Sequence, residues 1–173
     1  MYRIIAPGKK QGDIKLTTTT LEPANINDAE ALKALSVEAF TTDYDQYGSY
    51  PPGIESLAWH QSEIKKGHYY KILLNGDLVG GICVIPSDGD RIEIKYFFIS
   101  GEYQDRRIGS TTLGLIEKQY SNAAEWVLST PHKSFRNHHF YEKNGYTKIG
   151  ESQPIPNNPF RLFEYRKIIE KTE

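Results

Sequence analysis

Ile99-Ser100-Gly101-Glu102-Tyr103-Gln104-Asp105-Arg106-Arg107-Ile108-Gly109-Ser110 is the stretch on which the fold turns. An apolar run, residues 92–99, precedes it, and helical spacing over residues 108–120 follows, with Leu113, Ile116 and Tyr120 on one side. A strand that ends in a tight turn and runs straight into a helix aims several unpaired backbone N–H groups at one point. The positive end of the helix dipole adds to them, so such a turn is an anion site. The arginines at 106 and 107 make phosphate the expected anion.

Outward from this turn the pattern is regular. Downstream, residues 124–129 read as a buried strand and residues 134–143 as a helix stopped by Asn144-Gly145. Residues 146–150 and 160–168 read as strands joined by the loop 151–159. Upstream, residues 69–74, 78–86 and 91–99 form an antiparallel meander. Its first turn is Asn75-Gly76, a strong hairpin signal. Gly80-Gly81 inside the second strand predicts a bulge or a close backbone approach.

Further upstream, residues 54–64 have helical spacing, with Ile54, Leu57, Ala58 and Ile64 as inward positions. Residues 41–53 read as a structured loop of tyrosines, carboxylates and prolines. A helix running to Phe40 is expected with Asn27 as its N-cap, Glu30 three residues on, and Ala31, Leu32, Leu35 and Ala39 on its apolar face. Residues 15–21, rich in threonine, read as a strand. Residues 1–14 read as a loose arm and residues 171–173 as a frayed end, leaving one domain over 15–170. The expected class is α/β: a mixed, mainly antiparallel central sheet of about six or seven strands with helices on both faces.

Composition narrows the function. The chain has 173 residues, 38% hydrophobic and 25% charged, which fits one well-buried core. Lys plus Arg number 21 against 22 Asp plus Glu, so no global basic field argues for nucleic acid. The sequence has no membrane-spanning apolar run, its first residues do not read as a secretory signal, and its single cysteine, Cys83, fits a reducing cytoplasm, which is the expected location. Cys83 lies in an apolar strand pattern and reads as a buried thiol. His132, His138 and His139 lack partners at metal spacing, so no metal is expected. No Gly-x-Gly-x-x-Gly, P-loop or Ser-His-Asp pattern is present.

The order of elements and two local patterns resemble the GNAT superfamily of acyl-CoA-dependent N-acyltransferases, over roughly residues 15–168. The first pattern is the turn itself. The family's motif has Gln or Arg, two variable residues, Gly, one variable residue, then Gly or Ala. Gln104 and Gly109 match, whereas Arg107 stands in the first glycine place. If that place needs a positive φ, an arginine there carries strain. The second pattern, Asn137-His138-His139-Phe140-Tyr141-Glu142-Lys143-Asn144-Gly145-Tyr146, is similar to the family's Asn-x-x-Phe-Tyr-Glu-Lys-x-Gly-Phe segment.

The resemblance implies an enzyme that moves an acetyl group from acetyl-CoA to a primary amine by direct attack in a ternary complex. It places the pyrophosphate on the amides of Gln104 to Ser110, with Arg106, Arg107, Ile108, Gly109 and Lys143 nearby. The pantetheine would run beside Phe98, Ile99 and Gly101 like an added strand and bond Asn137. The amide near Ile99 would polarise the thioester carbonyl. The thioester would sit where the strand carrying Ile99 splays from residues 124–129.

By residue type alone Tyr141 is an aromatic packing residue near a helix end; by the resemblance it is the proton donor to the leaving thiolate. Glu93 is the candidate base, directly or through water, or else half of a solvated Glu93–Lys95 strand face. Asp43 and Asp45 would draw a small cationic amine, with Tyr44, Tyr47 and Tyr50 stacking on it, or these residues only pack a polar loop. Ser134 reads as a helix cap. Other readings are a non-catalytic acyl-CoA sensor and an acetyltransferase for protein N-termini or lysines. A homodimer through the final strands is a family-level expectation.

Overall fold

The computed structural model describes residues 16–170. The arm expected at 1–14, the start of the first expected strand and the frayed end at 171–173 lie outside the described residues.

The elements run β1 (Thr19–Pro23), a 3-10 turn (Ile26–Asp28), α1 (Ala29–Ala39), α2 (Thr41–Tyr47), α3 (Leu57–Lys65), β2 (Tyr69–Leu74), β3 (Asp77–Ser87) and β4 (Arg91–Ile99). After a second 3-10 turn (Gly101–Tyr103) come α4 (Ile108–Gln119), β5 (Glu125–Pro131), α5 (Phe135–Lys143), β6 (Thr147–Ser152) and β7 (Leu162–Ile168). One seven-stranded sheet has the order β1-β2-β3-β4-β5-β7-β6. Only β4 and β5 pair in parallel; every other neighbouring pair is antiparallel.

Alternation along the strands sends side chains to two cores. On one face Ile82, Val84, Ile92, Ile94, Trp126 and Leu128 pack with Leu113 and Ile116 of α4 and Tyr141 of α5. On the other, Tyr69, Cys83 and Phe98 pack with Ala29 and Leu32 of α1 and Ile64 of α3. Covering both faces of the central strands explains their near-continuous apolar runs.

Two irregularities shape the sheet around the C-terminal half of β4. The β2–β3 register slips between Ile72 and Leu73, beside Gly80. A Cβ on Gly80 would stand 2.2 Å from the Phe98 carbonyl oxygen, so the expected close backbone approach is present. The β3–β4 register slips between Cys83 and Val84, leaving Lys95 as the extra residue of β4.

The helical half departs from expectation in four ways. Asn27 caps nothing: the N-cap position of α1 is Asp28, which makes no capping bond, and the reciprocal box starts the 3-10 turn before it, where the Asn25 side chain accepts from the Asn27 amide while Asp28 accepts from the Asn25 amide. Ala31 is exposed, and Ala29, Leu32 and Ser36 form the buried stripe of α1. Residues 41–47 are a helix rather than loop, joined to α1 at Phe40 and stopped by Gly48 in the left-handed region at φ 74°. In α3, Ala58 is exposed, and His60, Glu63 and Ile64 turn inward.

Candidate active site

The parallel pairing of β4 with β5 runs from Arg91↔Glu125 to Ile94↔Leu128 and stops. Beyond it β4 continues to Ile99 beside β3, and β5 continues to Pro131 beside β7. The strands part, and two cavities of about 640 and 580 Å³ open in the wedge. Both are lined by Phe40, Asp43, Gln46, Phe97, Lys133, Asn137 and Tyr141, so they meet there.

The smaller cavity is walled by the turn between β4 and α4. Arg107 adopts φ 62°, ψ 4° at the N-cap of α4, the strained conformation that its glycine place implies, and Asp105 has φ 62° as well. The turn is tied from two sides. Gln104 donates through Nε2 to the Ile99 carbonyl at 3.0 Å. Arg136 of α5 donates to Gln104 Oε1 at 2.7 Å and to Asp105 Oδ1 at 2.8 Å. The amides of Ile108, Gly109 and Ser110 have no acceptor among the described residues, whereas that of Thr111 bonds the Arg107 carbonyl. Three free donors at the end of a twelve-residue helix make an anion cradle. Gly109 leaves room for a ring: a Cβ there would stand 2.9 Å from Phe140 Cε2.

Of the residues expected at this end, Phe98, Ile99, Gln104, Arg107, Ile108, Gly109, Ser110, Asn137 and Lys143 line the cavity. Arg106 does not; its guanidinium lies over the Tyr103 ring at 5.3 Å. Gly101 is also outside, its amide donating to Glu38 Oε1 at 3.1 Å. Ser134 occupies the N-cap position of α5 but its side chain makes no capping bond. Arg136 and Lys133 were not expected here, and both line the cavity.

The larger cavity is lined by the segments 43–52 and 154–162 and by the open ends of β4 and β5. Asp43, Tyr47 and Tyr50 line it; Asp45 and Tyr44 do not, and Tyr44 instead stacks on Tyr50 at 4.7 Å between centroids. Tyr47 meets Phe160 edge-on at 5.1 Å, and its hydroxyl is buried without a partner among the described residues. Tyr96 donates its hydroxyl to the Pro52 carbonyl at 2.6 Å. Lys95, the bulge residue, also lines the cavity, held by Glu63 at 3.3 Å and by the Trp59 ring at 5.5 Å. Glu93 is exposed and lines neither cavity.

At the junction Tyr141 is 9% exposed, and its hydroxyl has no hydrogen-bond partner among the described residues. Burial raises its pKa above the ordinary phenol range, so it stays protonated. Asp43 is half-buried, and desolvation raises its carboxyl above the usual range. Asn137 donates to Thr130 Oγ1 at 3.2 Å, which fixes its amide toward β5. Cys83 is buried and lines neither cavity; burial first, then the Glu63 charge, pushes its thiol up to about 12. Among the described residues no group of three or more His, Cys, Asp or Glu is arranged for a metal, and no helix is long and apolar enough to cross a membrane.

Comparison with known proteins bears on the family and the fold. The model of the family described as "Acetyltransferase (GNAT) family" matches residues 29–146. An uncharacterized protein of Bacillus subtilis (strain 168), YrkN, is 37% identical over 73 residues, 42% of this chain and 40% of that protein; the match thus spans less than half of the relative's length. The crystal structure of the PaiA N-acetyltransferase of Thermoplasma acidophilum in complex with coenzyme A superposes with TM-score 0.74 at 20% identity, over 88% of this chain and 99% of that one. The Escherichia coli ribosomal-protein-S18-alanine N-acetyltransferase gives 0.69 at 14%, over 90% and 97%. Arabidopsis thaliana Naa50, in complex with a bisubstrate analogue, gives 0.67 at 19%, over 87% and 99%. At these identities the likeness to solved structures is one of fold.

Proposed function

The chain belongs to the GNAT acetyltransferase family, and on that premise we propose that residues 15–170 form one domain that transfers an acetyl group from acetyl-CoA directly to a small primary amine. The observation that carries the reading is the junction of the two cavities in the open wedge between β4 and β5, with the unpartnered Tyr141 hydroxyl inside it.

Coenzyme A fits the smaller cavity on three counts. The free amides of Ile108, Gly109 and Ser110 suit a pyrophosphate. Arg107, Lys133, Arg136 and Lys143 supply cationic walls. Among the described residues, positions 95–98 of β4 have no strand partner on the β5 side, so that edge is open to an extended chain such as pantetheine, up to the Ile99 carbonyl that Gln104 holds. Acetyl-CoA supplies an activated acyl group and a thiolate leaving group.

The chain's own residues do the rest. Gln104 and Arg136 hold the turn, Asn137 and Thr130 shape the wedge, and Tyr141 gives its proton to the departing sulfur. A buried thiol outside both cavities leaves Cys83 no part in carrying the acyl group, which favours direct transfer. Glu93, exposed and outside the cavities, is poorly placed as a base. The acceptor enters between α2 and the segment 154–162, in a space of the size that holds a small molecule.

The test pairs calorimetric titration of acetyl-CoA and coenzyme A with thiol release across primary amines, including peptides with free N-termini. Binding with amine-dependent thiol release is expected. Tyr141→Phe keeps the ring and loses no protein hydrogen bond, so it should bind coenzyme A normally while turnover falls about 100-fold. Binding without release from any amine would leave the sensor reading in its place.

A further inference from the structure

We propose that the acceptor is a primary amine on an aromatic body and that Asp43, at the junction of the two cavities, takes the proton its ammonium must lose. The inference rests on the acetyl-transfer reading above and names the acceptor and base of that site.

Among the described residues Asp43 is the only carboxylate lining the larger cavity and the only one shared by both. It makes no hydrogen bond and no ion pair among the described residues. A half-buried carboxylate with no cation of its own is short of one, and an incoming ammonium supplies it. The cavity's other charges do not compete well. Lys95 is committed to Glu63 at 3.3 Å, and Lys133 is exposed, where solvent screens it. The raised carboxyl of Asp43 also makes it a stronger base than a free aspartate.

The body of the acceptor is read from the walls. Phe40, Tyr47, Tyr50, Tyr96 and Phe160 line the larger cavity. The Tyr96 hydroxyl is spent on the Pro52 carbonyl and the Tyr47 hydroxyl is buried, so both offer rings rather than donors. Ring faces and edges at this density favour another ring.

Protons and electrons balance with Tyr141 as the partner. The ammonium gives one proton to an Asp43 carboxylate oxygen, which frees the nitrogen lone pair. That pair forms the C–N bond, and the C–S pair leaves with sulfur, which takes the Tyr141 proton. The second proton lost by nitrogen restores Tyr141, the third stays on the amide, and Asp43 returns its proton to solvent.

Three probes separate the claims: benzylamine, which is an ammonium ion at neutral pH; phenylhydrazine, of similar bulk but largely free base there; and ethylamine, the ammonium without the ring. Wild type should turn over benzylamine with kcat/KM at least about ten-fold above ethylamine. Asp43→Asn should lose about 100-fold in kcat on benzylamine and less than about ten-fold on phenylhydrazine, which arrives deprotonated. Asp43→Glu should recover part of the benzylamine rate. Coenzyme A titration of each variant reports that it is folded. Equal losses on both aromatic probes, or none, would overturn the role of Asp43. Ethylamine serving as well as benzylamine, or no turnover of either aromatic probe by a protein that binds coenzyme A, would overturn the aromatic acceptor. Failure of wild type to bind coenzyme A would instead overturn the acetyl-transfer reading itself.

Discussion

Replacing Arg107 by glycine should move stability and cofactor affinity in opposite directions. Arg107 sits at φ 62°, ψ 4°, where its Cβ crowds the backbone. For an L-residue that conformation costs about 1–2 kcal/mol. Glycine removes the cost but gives the unfolded chain more freedom, worth about 0.4–1 kcal/mol against folding. Arg107 offers no side-chain cap to α4, so nothing else is lost at the helix start. The net is a gain of up to about 1.6 kcal/mol, centred near 0.8, or a Tm rise of about 2–3 °C for a chain of this size. Arg107 also lines the smaller cavity, the one proposed for coenzyme A, as an exposed cation. Losing it should weaken coenzyme A by up to about 1 kcal/mol, about five-fold in Kd at low salt, and less at high salt. Arg107→Ala separates the two effects: it loses the charge but keeps a Cβ at positive φ, so Kd should weaken equally while Tm does not rise. Thermal unfolding and calorimetric titration of both variants suffice. A Tm that falls in the glycine variant, or an affinity unchanged in either, would refute the reasoning.

Gly80→Ala should destabilise by about 3 kcal/mol, the upper end of the range for overpacking, because its Cβ would meet the Phe98 carbonyl oxygen at 2.2 Å and neither backbone can easily yield. Thermal unfolding should show it, and Gly114→Ala, which opens into free space in mid-α4, should gain about 1 kcal/mol in the same assay. His60 supplies a pH dependence. It is fully buried, accepts from Tyr69 at 3.1 Å and donates to the Ile54 carbonyl at 2.9 Å, and burial first, with the Lys33 charge assisting, holds its pKa below the usual value. The unfolded chain therefore binds a proton that the folded one refuses. The contribution of His60 is complete above about pH 6.5 and declines as pH falls below it toward the folded value, by at most about 1.4 kcal/mol per pH unit. Denaturant unfolding between pH 7.5 and 5.5 should show that slope, and His60→Phe should flatten it whatever it does to the absolute stability.

How far the sequence could be read depends on how local each feature is. The strand, turn and helix from Ile92 to Gln119 were legible because each is contiguous and strongly patterned, and the Asn75-Gly76 hairpin because both residues take the positive φ their types allow, 52° and 90°. Helix α2 was not. Its residues, Thr41-Thr42-Asp43-Tyr44-Asp45-Gln46-Tyr47, bury no side chain fully, so the periodic apolar signal that marks a helix is missing, and only Gly48 marks its end. Glu93 shows the limit of strand alternation, which assigns a face but not whether a helix or a cavity covers it. Lys95, pushed into the bulge one residue pair away, reached the cavity instead.

The two halves of the site differ in the same way. The turn that walls the smaller cavity is one run of chain, but its clamp Arg136 lies 31 residues from Asp105, a separation no spacing rule can bridge. The larger cavity, proposed for the acceptor, is assembled from Asp43 on α2, Tyr96 on β4, Tyr141 on α5 and Phe160 before β7. No local pattern could relate these residues, since only the sheet order that puts β4 beside β5, and β5 beside β7, brings them together. The donor half of the reaction could therefore be anticipated from the turn and its family resemblance. At the other end the sequence already offers Asp43 for a cationic amine and Tyr141 as proton donor; the fold adds that both stand unpaired among the described residues where the two cavities meet, and that Tyr44 and Asp45 line neither cavity.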